Sequence, residues 1–115
     1  MTPPLPLNYQ HGAHYISGHD HMHEHIVTEG VNMFVTGPGR ECCYDPTHLD
    51  TVPKGAIKFM ISGKDGQGPS VGPKPASMHS GFSTMAFDDV VQIVMHKEDG
   101  ESVWTPPPIK PRSLQ

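Results

Sequence analysis

Residues 19–36 read His19-Asp20-His21-Met22-His23-Glu24-His25-Ile26-Val27-Thr28-Glu29-Gly30-Val31-Asn32-Met33-Phe34-Val35-Thr36, and this stretch decides the fold class. The histidines recur every second residue, the period of a β-strand whose successive side chains point to opposite faces. Glu29-Gly30 then stands between His25-Ile26-Val27-Thr28 and the run from Val31 to Thr36 as a two-residue hairpin loop does. On a strand His19, His21, His23 and His25 share one face, with Asp20, Met22, Glu24 and Ile26 on the other. On a helix the same histidines would fall about 200° apart in successive steps and split between opposite sides. The strand reading gathers four imidazoles; the helix reading scatters them.

Outward from this hairpin, Gly37-Pro38-Gly39 ends the second strand. The chain as far as Pro53 has the residue types of an irregular excursion, with Asp45-Pro46 at a turn. A third strand is expected at residues 56–62. Residues 63–81 hold five glycines and three prolines, too broken for a core element and long enough for a functional or subunit-contacting loop. The β-branched run Asp89-Val90-Val91-Gln92-Ile93-Val94-Met95-His96 predicts a strand. Glu98-Asp99-Gly100 turns it toward Glu101-Ser102-Val103-Trp104-Thr105. Pro106, Pro107, Pro108 and Pro111 then oppose further sheet pairing and favour a polyproline-like tail. Residues 1–17, with Pro3, Pro4 and Pro6 and no periodicity, read as an extended arm suited to lie on a neighbour. The expectation is an all-β fold, a small sandwich or partly open barrel of five or six short strands. It is a single domain over residues 18–105, flanked by Pro-rich arms at 1–17 and 106–115. No internal repeat is present.

Composition sets the bounds. The chain has 115 residues, enough for one core. That core is thin, because Leu, Ile, Val and Phe together make only 23 residues, near the boundary of disorder. Gly and Pro together make 25, which disfavours long helices and favours short strands joined by turns. A thin core with extended arms points to support from oligomerisation, a metal or a partner surface. Eight Lys and Arg, widely spread in a chain of net charge −4, argue against a nucleic-acid surface. No run of 18 apolar residues is long enough to span a membrane. The N-terminus lacks the basic and apolar regions of a secretory signal, so a cytoplasmic or virion location is expected. Adjacent Cys42 and Cys43 make no disulfide framework and read as small, partly buried hydrophobes, with an intersubunit bridge or thiolate ligands as the other readings.

Three readings stay open for the histidine run: a solvated polar strand edge, an ordered metal site, and an interface whose imidazoles repel one another when protonated below about pH 6. The metal reading takes His19, His21, His23, His25 and Glu29 as ligands, since neutral imidazole suits Fe, Zn, Cu and Ni. Two histidines on one strand are too few for tight binding. Further ligands must come from His48, His79, His96, Glu29 or the cysteines, or from symmetry mates. Asp88-Asp89 has no partner for acid–base work, and residues 77–83 lack the Gly-x-Ser-x-Gly of a nucleophile elbow.

The His-x-His segments within residues 19–25 resemble those of trimeric phage tail-fibre and spike proteins, whose histidines ring an iron ion on a three-fold axis. The resemblance implies a structural metal in a virion component, a trimer, and no turnover. A second resemblance is to the cupins, in which a metal is held by His-x-His, a following Glu and a later His. His23, His25 and Glu29 match the first three ligands, and Pro53-Lys54-Gly55 matches the Pro-x-Gly of the second motif. Lys58 stands where the last His belongs, and Ser62 where an Asn is usual. That resemblance implies a three-ligand metal and enzymatic chemistry on a small molecule. The leading expectation is a non-enzymatic structural component of a large multi-subunit assembly, such as a phage decoration, tail or spike accessory protein. It is expected to associate with itself and with neighbouring subunits, and to hold Fe, Zn or Ni on its histidines.

Overall fold

A computed structural model describes residues 13–46, 52, 53 and 55–110. Eight strands order them: β1 (Tyr15–Ser17), β2 (His23–Thr28), β3 (Val31–Thr36), β4 (Ile57–Ile61), β5 (Ser70–Val71), β6 (Gly81–Phe87), β7 (Val91–Lys97) and β8 (Ser102–Trp104). The hairpin forms as its sequence dictates. Glu29 and Gly30 both take positive φ, 52° and 75°, the pair of left-handed residues by which a two-residue loop matches the twist of its strands. β2 and β3 pair antiparallel from His23↔Thr36 to Thr28↔Val31.

One sheet has the order β1-β3-β2-β4-β5 and the other β6-β7-β8. They stack as an all-β sandwich and do not close into a barrel. Two parts of the arms pair with these sheets. Tyr15, Ile16 and Ser17 add a parallel edge strand against Met33, Phe34 and Val35. In the proline tail Ile109 exchanges two backbone hydrogen bonds with Val91, at 2.8 and 2.9 Å. The expectation that prolines bar pairing after Trp104 fails here because Ile109 keeps its own N–H, which the flanking proline does not remove. Gln92 Nε2 also donates to the Pro106 carbonyl at 3.1 Å.

The core lies between the inner faces. Phe34, Phe59 and Ile61 of the larger sheet meet Ile93 and Met95 of the smaller, joined by Met78, Cys42 and Ile109. Residues 38–45 seal one end of the sandwich. The Cys42 amide donates to the His79 carbonyl, the Asp65 amide to Cys42, and the Gly63 amide to Tyr44. Cys42 and Cys43 are joined by a disulfide, which corrects their reading as two unlinked hydrophobes, although Cys42 is buried and both pack on the core.

Candidate functional site

The register of β2 decides what the histidine run becomes. The strand starts at His23, because residues 18–22 bend against Gly37. A Cβ on Gly37 would lie 2.1 Å from the Asp20 carbonyl oxygen, so only glycine admits this bend. His19 takes a φ of 75° and is exposed, with Nδ1 3.7 Å from the Asp20 carboxylate. His21 stacks on Tyr44 at a centroid distance of 4.3 Å. The expected face of four imidazoles is therefore reduced to two, His23 and His25.

Those two point inward. His23 is fully buried and His25 is 3% exposed. His23 Nε2 donates to the His96 carbonyl at 3.0 Å, joining β2 to β7 across the sandwich. Gly81 makes room for it: a Cβ there would sit 2.7 Å from His23 Nε2 and 2.5 Å from the His96 carbonyl oxygen. Burial, with the nearby His96 adding to it and the carbonyl hydrogen bond opposing it, lowers the His23 pKa to about 4. The imidazole is neutral at neutral pH.

His25 is held at both nitrogens. Trp104 Nε1, which can only donate, reaches His25 Nδ1 at 3.1 Å. His25 Nε2 therefore carries the proton and donates to Asn32 Oδ1 at 2.7 Å. The ring stacks on Phe34 at 4.3 Å. Burial lowers its pKa, the Asn32 contact opposes the shift, and the Lys58 charge adds to it. A metal at His25 would have to displace the Trp104 or the Asn32 hydrogen bond.

The remaining candidate ligands lie apart. Glu29 is exposed at the hairpin tip, four residues beyond His25. His79 pairs with Asp65 at 2.9 Å. His96 donates from Nδ1 to the Gly100 carbonyl and accepts from the Thr84 hydroxyl at Nε2. His48 lies outside the described residues, as does Lys54 of the Pro-x-Gly match. Among the described residues no group of three His, Cys, Asp or Glu side chains is arranged around one ion. The three-ligand cluster that the cupin resemblance implies is not assembled there. No protein-family model matches the chain, and no curated protein matches it.

Two open features among the described residues lie at the opposite end from residues 38–45. One is a cavity of about 520 Å³ lined by His25, Asn32, Trp104, Lys58 and the 107–110 segment. The other is a groove of about 210 Å³ between β1 and the ends of β6 and β7, lined by Ile16, Phe34, Met85, Phe87 and Ile93. His14 and Ile109 border both. In β6 the inner face carries Gly81, Ser83, Met85 and Phe87, as the contact of the Ser83 and Thr36 hydroxyls at 2.6 Å fixes. The larger sheet does not cover the last two, so Met85 is 42% and Phe87 72% exposed. Sequence reading missed this strand: outward positions hold Phe82 and Ala86 and an inward one holds Ser83, so polarity does not track the pleat.

Proposed function

We propose that this chain is a non-enzymatic structural subunit that assembles with copies of itself through the open end of its sandwich. The observation that carries the reading is the uncovered inner face of β6, where Met85 and Phe87 stand beside the exposed Tyr15 and Ile16 of β1. An inner sheet face is built to be covered. Phe87 alone leaves on the order of 100 Å² in water, worth roughly 3 kcal/mol if buried. The patch carries both a projecting ring and a groove of about 210 Å³, so a second copy can supply the complement to each. Two-fold pairing would place each Phe87 in the other groove. Among the described residues β1 and β6 are edge strands that border the same patch, and their edges offer further pairing.

The histidines support a structural role, because the buried His23 and His25 and the half-buried His96 spend ring nitrogens on hydrogen bonds that tie the strands and sheets together. The large-particle setting extends this reading to a phage accessory subunit, on the His-x-His resemblance. A shared metal on a symmetry axis would draw on His19 and His21, the two outside the core. Native mass spectrometry with metal analysis tests the assembly. The native chain is expected as an oligomer at about 10 µM, and Phe87→Asp as a folded monomer. A monomeric native chain with the same mobility as Phe87→Asp would sink the reading.

A further inference from the structure

We propose that the cleft bounded by His25, Trp104, Lys58 and Lys110 binds a small amphipathic anion, an apolar body carrying one carboxylate or phosphate group. Its volume of about 520 Å³ falls within the range of small-molecule sites. Val27, Pro107, Pro108 and the Trp104 indole give it apolar walls. Among the described residues Lys58 and Lys110 are the charged groups that line it, and no Asp or Glu does. Neither lysine has a carboxylate partner among the described residues. In a chain of net charge −4, a cleft whose described lining sets two ammonium groups and no carboxylate around an apolar body selects anions over neutral or cationic ligands.

The placement of Lys58 is a built feature. Strict alternation along β4 would turn it away from the inner face that Phe59 occupies. The ladder with β2 runs His25↔Phe59 and then Ile26↔Ile57, so Lys58 is the unpaired residue of a bulge. A bulge re-aims its extra side chain, and here it brings the lysine to the cleft wall beside His25. Its charge adds to the burial that keeps the imidazole neutral.

The floor is rigid before any ligand arrives. Trp104 stacks on Phe59 at 5.0 Å and donates to His25, which donates to the Asn32 side-chain oxygen, and the Asn32 backbone N–H donates to His14 Nδ1 at 2.9 Å. A second irregularity, between Met95 and His96 in the β7–β8 ladder, sets Trp104 opposite Met95 and so on the inner side. A wall held in this way loses little entropy on binding.

Trp104 is the single tryptophan of the chain, so its indole resonance and fluorescence report on the cleft. Phenyl phosphate and phenylacetate are titrated into the full chain. Benzyl alcohol serves as the body without charge and inorganic phosphate as the charge without body. At least one aryl anion is expected to shift the Trp104 indole resonance saturably, with Kd below about 1 mM. Benzyl alcohol and inorganic phosphate should bind at least about tenfold more weakly. Lys58→Gln and Lys110→Gln, both at exposed positions, should each weaken the aryl anion about fivefold, the loss of one near-surface ion pair. The proposal is overturned if neither aryl anion binds, if benzyl alcohol binds as tightly as they do, or if both lysine variants bind like the native chain.

Discussion

Replacing His23 with Gln isolates the acid sensitivity that one buried imidazole gives the fold. In the unfolded chain this histidine takes up a proton near pH 6.5, and in the sandwich not until about pH 4. Between those values the unfolded state binds more protons, so stability rises with pH and is lost as pH falls through that window. At 1.36 kcal/mol per unit of pKa difference, acidification from about pH 7.5 to pH 4 removes about 3 kcal/mol. That is a large share of the roughly 5–15 kcal/mol a small domain possesses. His25, also lowered by burial, acts in the same direction. Glu24 opposes both, since burial and the Asp20 charge raise its pKa and its protonation favours the fold as pH falls. Subtracting the His23→Gln curve from the native curve removes these shared contributions. Paired urea titrations across the range give the difference directly. Gln keeps an N–H for the His96 carbonyl, so the variant should remain folded. The stability advantage of the native chain should shrink by about 3 kcal/mol from the high to the low end. A difference constant to within about 0.5 kcal/mol, or a His23 ring that titrates near its ordinary value by NMR, would refute the reasoning.

Gly81→Ala should cost about 2–3 kcal/mol in urea unfolding. Its Cβ would press on the His96 carbonyl and on His23 at 2.5 and 2.7 Å, and the backbone side of that clash cannot rotate away. Trp104→Phe keeps the stacking on Phe59 but removes the donor to His25 Nδ1; a loss of about 1–2 kcal/mol is expected by thermal unfolding. Ile109→Ala empties a side chain that is 9% exposed in the core cluster, so a loss of about 2–4 kcal/mol and faster proteolysis after Trp104 should follow.

How far the fold was legible follows from particular residues. The Glu29-Gly30 hairpin could be read because both its strands and its turn carry the same message: β-formers on either side, and a glycine where φ is positive. The β7–β8 hairpin was legible for the same reason at Glu98-Asp99-Gly100, where Gly100 has a φ of 92°. β1 and β5, of three and two residues, are too short to show a period. With β6, whose polarity hides its pleat, they bring the expected five or six strands to eight. Alternation correctly placed His23 and His25 on one face, yet it gave no means of knowing that this face was the core. A histidine on a strand looks alike in sequence whether it faces water or a carbonyl in the opposite sheet. What distinguishes them here is tertiary: Gly81, 58 residues beyond His23, leaves space for the ring. The cleft depended still more on distance, because Lys58 reaches it through a bulge and Trp104 through the second sheet.

The same thin composition that suggested outside support accounts for how the histidines are used. With 23 Leu, Ile, Val and Phe, the sandwich cannot cover both sheets with apolar side chains alone. It fills part of the interface with imidazoles, each of which offers a flat packing surface and a directional bond. His25 does both, stacking on Phe34 while linking Trp104 to Asn32. Neutral rings are tolerated there because their N–H groups find acceptors, whereas a proton on His25 Nδ1 would abolish the Trp104 bond and leave a buried charge. Cohesion of the sandwich thus relies on the neutral form, and the apolar material left over stands uncovered at the open end, around Met85 and Phe87. If the histidines secure the fold and Phe87 secures the assembly, the two fail separately. Acid should weaken the fold of Phe87→Asp through the same window as that of the native chain, between the ordinary histidine value and about pH 4, and in either background the loss across that window should shrink when His23 is replaced.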